Sequence, residues 1–253
     1  MSNKSLRLGR YGVDAPGWLL AFGAGVVAPL AAVAAGGPRG LLRIPPVMAV
    51  AGGLFLHASV RGKFLVWDEQ LDALDLQGDE RVLDLGCGRG AVLTAVARRV
   101  PKGRVTGVDI WRSVDQSGNN QQTAVANAER ERVADQVEFV TADMRRLPVM
   151  DDQFDVVLSS MAIHNITSAQ GREEAVREAY RVLRPGGRLL IADILHTRRY
   201  VEILRAAGAA NATRTDAGPR MWWSGPWVRT LLVSAEKPTA HPGDDDRYPE
   251  VQA

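Results

Sequence analysis

Two long apolar segments stand out near the start of the chain. Residues 17–36 contain no charged side chain, and residues 44–60 contain only two strongly polar ones. Each segment has about the length that a helix needs to cross a bilayer. Glycine and proline in residues 37–43 predict a turn between them. The pattern therefore predicts a transmembrane helical hairpin that associates with a membrane through residues 17–60.

Small residues recur at every fourth position in both apolar segments. Ala28, Ala32 and Gly36 share one face of the first helix, and Ala49 and Gly53 share one face of the second. Small side chains allow two helix backbones to approach closely. We therefore expect these positions to form the contact between the two helices.

The rest of the chain alternates β-like and α-like segments. The β-like runs are residues 82–85, 104–109, 137–142, 154–159, 188–192 and 228–236, and the helical patterns are residues 91–100, 124–133 and 173–183. This alternation predicts an α/β fold, a doubly wound and mostly parallel sheet with helices on both faces. We expect the hairpin in residues 1–62, the α/β domain in residues 63–237, and a disordered tail in residues 238–253, which lack an apolar period.

Charge is distributed unevenly along the chain. Residues 1–63 carry a net charge of +6, whereas the remainder carries −4. The mildly acidic remainder argues against nucleic acid as a partner, because phosphate binding needs a basic face. Five of the seven N-terminal cations lie outside the hairpin and two lie in its connector. By the positive-inside rule, both flanks lie on the cytoplasmic side of a cell membrane.

Other interpretations of the N-terminal segments stay open. The two helices could fold over the α/β domain as a lid or as a dimer surface, so a homo-oligomer is compatible with the pattern. The first could also be a signal peptide cleaved near Ala34. Cys87 is the only cysteine, and it lies outside any Cys/His cluster. The sequence therefore predicts neither an internal disulfide nor a metal site.

A glycine-rich turn follows the first β-like run. Asp84 precedes Gly86 and Gly88, and a helical segment comes next, a layout that lets a ligand lie directly against the backbone. Two further runs end at Asp109 and Asp143. Because the carboxyl ends of parallel strands meet at one edge of a sheet, we expect these acids to converge on the turn. The glycine spacing also fits a relaxed dinucleotide fingerprint, so an NAD-dependent oxidoreductase stays open.

Five ordered motifs resemble those of the class I S-adenosylmethionine-dependent methyltransferases, particularly the branch similar to quinone-ring C-methyltransferases. The motifs are residues 82–90, 105–110, 141–148, 154–160 and 181–187. The resemblance extends over roughly residues 64–237 and does not include the hairpin. It implies a Rossmann-like sheet of seven strands that ends in an antiparallel pair, with S-adenosyl-L-methionine as the cofactor.

The resemblance also implies roles for residues of the turn and of the second strand. Asp84 and the backbone of Gly86 and Gly88 would hold the methionine part of the cofactor. Cys87 lies between the two glycines and belongs to the same predicted binding turn. Asp109 would bind both ribose hydroxyls.

The adenine and the reactive methyl group are assigned to later residues in the same way. Ile110 would pack on the adenine, Asp143 would accept from its exocyclic amine, and Met144 would lie nearby. Ser159 would line the passage to the methyl group. His164 follows the fourth strand and is the candidate general base, although a role in shaping the pocket is equally compatible with its position.

The activated methyl group explains why so few catalytic side chains are expected. Methyl transfer from a sulfonium needs mainly alignment and exclusion of water. The sequence therefore predicts a membrane-anchored methyltransferase that acts from the cytoplasmic face on a small lipophilic acceptor. A methyltransferase of a membrane protein and a non-catalytic cofactor-binding sensor stay open as alternatives.

Overall fold

A seven-stranded sheet forms the centre of the molecule in the computed structural model, which describes residues 10–239. The strands are β1 (Arg81–Leu85), β2 (Arg104–Asp109), β3 (Val137–Thr141), β4 (Phe154–Ser160), β5 (Leu183–Asp193), β6 (Ala210–Asp216) and β7 (Leu231–Glu236). Their order is β3-β2-β1-β4-β5-β7-β6. Strands β1 to β5 pair in parallel, whereas β7 is antiparallel to β5 and β6. The expected α/β class and the closing antiparallel pair are confirmed.

Helices cover both faces of this sheet. The helices are α1 (Gly17–Ala34), α2 (Ile44–His57), α3 (Lys63–Ala73), α4 (Ala91–Ala97), α5 (Gln121–Arg130), α6 (Ala169–Arg181) and α7 (Thr197–Ala206). Successive residues of a strand face opposite sides. Val82 accordingly packs in the layer under α3, α4 and α5, whereas Leu83 packs in the layer under α6 and α7.

Helices α5 and α6 start three and four residues before the pattern-based expectations, whereas α4 starts at Ala91 as expected. Asn120 caps α5 by accepting a hydrogen bond from the Thr123 N–H, and Ser168 caps α6 by accepting one from the Gly171 N–H. The turns that follow these caps are polar, so apolar periodicity does not reveal them. Strand β5 begins earlier than expected because Leu183 pairs with Phe154 before a register shift.

The N-terminal helices form a hairpin that is continuous with the α/β domain. A π-helical turn, Ala58–Gly62, joins α2 directly to α3. By length and composition alone, two helices are able to cross a membrane: Gly17–Ala34, and the continuous helix Arg39–Ala73. Only 6% of the first span is buried, and Leu20 is 77% exposed. The hairpin thus presents apolar side chains outward instead of enclosing them in a core.

The contact between α1 and α2 uses other small residues than expected. All five positions of the proposed contact stripe are exposed: Ala28, Ala32, Gly36, Ala49 and Gly53. A Cβ on Gly25 would lie 2.7 Å from Met48 Cγ, and one on Gly52 would lie 3.1 Å from Phe22 Cβ. Small residues occur on several faces of these helices, so the packing of Phe22 decides which face is used. The expected stripe was wrong.

A short segment before α1 packs on the α/β domain, and we call residues 11–15 the N-terminal strap. Tyr11 is buried, and its hydroxyl lies 2.8 Å from the Thr94 hydroxyl. Asp14 accepts a hydrogen bond from Lys63 Nζ at 2.7 Å. The strap is therefore attached to the α/β domain at Thr94 and Lys63. Of the tail expected in residues 238–253, all but the first two residues lie outside the part of the chain described.

Candidate cofactor and acceptor site

A cavity of about 690 Å³ opens at the carboxyl ends of the parallel strands. Asp84, near the end of β1, and Asp109, at the end of β2, both line it, as do the loops that follow β3 and β4. Ligands of open parallel sheets bind at this edge, where the strand order reverses between β1 and β4. The structure thus brings the expected acids and the glycine turn together.

The glycine turn is held against β2 by its own backbone. The N–H groups of Gly86 and Cys87 both donate to the Val108 carbonyl, at 2.7 and 3.1 Å. Gly88 donates its N–H to Asp109 Oδ2 at 2.8 Å. Gly86 has φ +71°, and a Cβ there would overlap the Ala162 side chain. These N–H groups are already hydrogen-bonded within the protein. A ligand can therefore approach the glycine backbone closely and can bond to its carbonyl oxygens, but not to these N–H groups.

Asp84 is a buried acid without a side-chain partner. Neither of its carboxylate oxygens has a hydrogen-bond partner among residues 10–239. Burial, together with the negative charge of Asp109, raises its pKa to about 7, and the nearby Leu93 N–H offsets part of the shift without reaching hydrogen-bond geometry. An unpartnered buried carboxylate is costly. An ammonium group placed beside it would remove that cost.

Asp109 organises the loop that follows β2. Its Oδ1 accepts hydrogen bonds from the Trp111 N–H at 2.6 Å and from Asn119 Nδ2 at 3.3 Å. The carboxylate is therefore fixed in orientation while one side faces the cavity. A carboxylate held in this way can accept from the two hydroxyls of a ribose.

The residues expected at the adenine lie on one wall of the cavity. Ile110 is half exposed, and Met144 and Asp143 lie beside it on the same lining. Asp143 forms an ion pair with Arg145 at 2.6 Å, and the hydrogen bond from Arg145 holds the pKa of Asp143 below its ordinary value. Asp143 is thus a charged acceptor that already shares one side with a guanidinium.

One of the expected residues, Ser159, has other surroundings than the sequence indicated. Ser159 does not line the cavity: it is buried in the sheet, and its hydroxyl donates to the Leu85 carbonyl at 2.9 Å. The next residue, Ser160, lines the cavity and accepts from Trp67 Nε1 at 2.8 Å. Alternate strand residues face opposite sides, so an error of one position exchanges core for cavity. Cys87 lines the cavity, but burial raises the pKa of its thiol, which keeps it protonated.

His164 lines the cavity and pairs with the fully buried Asp193. His164 Nδ1 lies 2.5 Å from Asp193 Oδ1, and the His164 N–H donates to Asp193 Oδ2 at 3.0 Å. Burial lowers the pKa of His164, but the contact with Asp193 and the charges of Asp193, Asp115 and Asp14 outweigh it, so the pKa is raised. Nδ1 is in close contact with Asp193 Oδ1 but is not aligned for a hydrogen bond, and Nε2 is the nitrogen on the far side of the ring from this contact.

Asp193 is the residue of this site that the sequence argument did not single out. It is fully buried at the end of β5, and Oδ1 accepts from the Ile194 N–H at 2.8 Å. The available signal was the same one that identified Asp84, Asp109 and Asp143: an acid where a parallel strand ends. The expected strand stopped at Ala192, one residue too early for that signal to be noticed.

The tryptophans before β7 do not act as one cluster. Trp223 is buried and lines the cavity, whereas Trp227 is 74% exposed. Trp67 is buried, and it both packs α3 on the sheet and borders the cavity. Trp67 is therefore both a packing contact and part of the cavity wall.

The donor set fits S-adenosylmethionine. Asp84 lacks a partner among the described residues and is matched by an ammonium group, the oriented carboxylate of Asp109 is matched by ribose hydroxyls, and Ile110 provides an apolar surface for adenine. The close approach at Gly86 admits a ligand where a Cβ would not fit. Six aspartates line the cavity and suit a cofactor that carries positive charge on nitrogen and sulfur: Asp14, Asp68, Asp84, Asp109, Asp115 and Asp143.

Comparison with known proteins agrees with this fit. Residues 83–191 match the family model described as a methyltransferase domain. The chain is 36% identical over 129 residues to the ubiquinone/menaquinone biosynthesis C-methyltransferase UbiE of Roseobacter denitrificans, a match that covers 51% of this chain and 48% of that protein. The chain thus spans about half the length of the curated relatives it matches.

Solved structures with the same fold include two with differently named activities. The cyclase SpnF superposes with a TM-score of 0.55 at 22% identity, covering 68% of this chain and 81% of SpnF. Geranyl diphosphate C-methyltransferase of Streptomyces coelicolor, solved with S-adenosyl-L-homocysteine, superposes with a TM-score of 0.52 at 15% identity, covering 67% and 78%. The sheet order and the family match over residues 83–191 together indicate a methyltransferase domain within the chain.

Proposed function

We propose that the chain is a membrane-anchored methyltransferase that transfers the methyl group of S-adenosylmethionine to a small lipophilic acceptor. The observation that carries the proposal is the position of the unpartnered Asp84 carboxylate in the same cavity as the His164–Asp193 pair. One end of the cavity can hold the charged cofactor, and the other offers a base beside the expected methyl group. The acceptor class is suggested by the relative UbiE, whose name specifies quinone C-methylation.

The chemistry assigned to this chain's residues is mainly positioning. When bound, S-adenosylmethionine supplies a methyl group already activated on sulfur. Asp84, Asp109 and the glycine turn hold the cofactor, and Trp67 helps to exclude water. His164 removes a proton from the acceptor at Nε2, and Asp193 stabilises the resulting imidazolium while it fixes the ring.

Anchoring in a membrane is supported by the exposed apolar hairpin. Leu20, Val27 and Val50 each expose more than half of their surface, which is unfavourable in water but not in lipid. Because the strap precedes α1 and α3 follows α2, both ends of the hairpin are attached to the methyltransferase domain. The charge distribution favours the cytoplasmic side for that domain. Keeping the active site at the surface concentrates a substrate that partitions into lipid.

Calorimetry and radiolabel transfer test this function. We expect S-adenosylmethionine to bind and NAD not to bind, and we expect Asp109→Ala to abolish cofactor binding because the ribose acceptor is lost. His164→Ala should keep cofactor affinity and lower kcat at least tenfold, a usual magnitude for a general base. Asp193→Asn should lower kcat and shift the pH profile of kcat, and it should leave the cofactor affinity unchanged. Unchanged cofactor affinity in Asp109→Ala would contradict the site assignment.

A further inference from the structure

The base of the hairpin forms one wall of the cofactor cavity. Trp18 and Phe22 of α1 and Phe55 of α2 line the same cavity as Asp84 and Asp109. Carboxylates from the sheet edge and aromatic side chains from the hairpin thus share one cavity. The hairpin therefore contributes directly to the site in addition to any role as an anchor.

A continuous series of aromatic rings extends from the hairpin into the methyltransferase domain. Ring centroids are 6.2 Å apart for Trp18 and Phe22, 5.8 Å for Phe22 and Phe55, and 5.4 Å for Phe55 and Trp223. The indole N–H of Trp223 donates to the Thr230 hydroxyl at 2.9 Å. Its polar atom is thus satisfied inside the protein, and its ring offers only apolar surface to the cavity. We call these four residues the aromatic path.

The aromatic path ends at an exposed residue at the foot of the hairpin. Trp18 lies in the first turn of α1 and is 60% exposed. Tryptophan is enriched where a membrane meets water. Beyond Trp18, the outer side of α1 exposes Leu20 and Val27. The exposed end of the aromatic path therefore lies where a bilayer around the hairpin would meet the methyltransferase domain.

We propose that the acceptor is a single-chain lipid that enters from the bilayer, with its apolar chain along the aromatic path and its polar head beside His164. This inference rests on the proposed function and specifies its substrate. A polypeptide segment fits this path less well, because its backbone N–H and C=O groups would face aromatic rings without partners. A water-soluble acceptor would make no use of the path.

Photo-crosslinking locates the chain. The full protein is placed in phosphatidylcholine vesicles that contain dodecanol with a diazirine at the chain end, and adducts are mapped by mass spectrometry. The dodecanol probe should label the outer side of α1 simply because it is dissolved in the bilayer. The proposal further requires adducts in residues 221–228 around Trp223, and an excess of unmodified dodecanol should remove these adducts without affecting those at Val27. Adducts confined to the outer side of the hairpin would overturn the proposal.

Methyl transfer with matched variants tests the use of the path. Vesicles made from the total lipids of the organism that encodes the chain are incubated with methyl-labelled S-adenosylmethionine. We expect label in the lipid fraction, with kcat/KM about tenfold lower in Phe22→Ala and in Phe55→Leu, since an aromatic contact of this kind is worth about one factor of ten. Val27→Ala is the control, because Val27 lies on the same helix but outside the cavity.

The outcomes separate this inference from the function on which it rests. Lipid labelling that is equal in Phe22→Ala and wild type would overturn the aromatic path and leave the methyltransferase function intact. Label in protein or in a water-soluble product would likewise overturn the lipid acceptor alone. Absence of S-adenosylmethionine binding in calorimetry would overturn the proposed function itself.

Discussion

Asp84 shows how one side chain links the fold to the cofactor. The sequence predicted its position two residues before the first glycine of the turn. Its burial and the nearby charge of Asp109 arise only when β1 and β2 pair. With a pKa of about 7, the carboxylate is half protonated near neutral pH. Only its ionised form can pair with an ammonium group.

Cofactor affinity should therefore depend on pH. Below about pH 7, binding must displace a proton from Asp84, so the apparent Kd of S-adenosylmethionine should rise about tenfold for each pH unit between 7 and 5. Isothermal titration calorimetry in buffers of different ionisation enthalpy measures both the affinity and the proton released.

Matched variants identify the group responsible for this dependence. Asp84→Asn should bind weakly and lose the pH dependence, because no proton is exchanged. His164→Asn and Asp115→Asn should each retain the dependence, which separates Asp84 from these two other cavity groups with a raised pKa. A wild-type affinity that is constant from pH 5 to 7 would contradict the assignment.

At the scale of residues, the motifs located most of the site but not its details. Asp84, Asp109, Asp143 and Gly86 all line the cavity, as their positions at strand ends predicted. Ser159 does not, because the exact end of β4 decides which of two adjacent serines faces the ligand. The roles of the individual residues stay predictions.

At the scale of elements, the junction between α2 and α3 fixes the hairpin on the methyltransferase domain. Gly62 closes the π-helical turn, and a Cβ there would overlap the Arg220 carbonyl. Lys63 follows, buried and paired with Asp14 of the strap. The close packing at Gly62 and the ion pair between Lys63 and Asp14 both hold the base of the hairpin over the cavity.

Two glycine substitutions compare the junction at Gly62 with Gly53, a position of the hairpin that makes no close contact. Gly62→Ala should lower the free energy of unfolding by about 1–3 kcal/mol, because the added methyl group forces the two backbones apart. Gly53→Ala should raise it by up to about 1 kcal/mol, since a Cβ on Gly53 would project into open space and alanine favours helix. Thermal unfolding in detergent micelles measures both, and equal effects would contradict the close packing at Gly62.

At the scale of the whole molecule, the hairpin, the strap and the cavity form a single arrangement. Both ends of the hairpin attach to the same domain, so the connector at residues 39–43 is the part farthest along the chain from either attachment. If the hairpin crosses the cell membrane as proposed, the connector and the methyltransferase domain lie on opposite sides.

Cysteine labelling tests that topology. Cys87 is buried and is the only native cysteine, so the wild-type protein provides a low background. Gly40→Cys in the connector should react with a membrane-impermeant maleimide in spheroplasts. Met150→Cys, at an exposed position of the methyltransferase domain, should react only after lysis. Equal reaction of both cysteines in intact spheroplasts would contradict the proposed crossing.

The local sequence determined the elements and the cofactor end of the site. Alternating periodicity specifies the strands, and glycine and strand-end aspartate recur at spacings that only a parallel sheet brings to one edge. These signals depend on residues close together in the chain. The apolar hairpin was evident for the same reason.

The tertiary structure alone decided which faces meet. The helix face used between α1 and α2, the pairing of His164 with Asp193, and the contact of Phe55 with Trp223 each join residues whose partners are specified by packing and not by spacing. Packing selects one of several locally equivalent faces, because only one fills the space between elements without voids or overlap. That selection makes the hairpin a wall of the cavity as well as a pair of apolar helices.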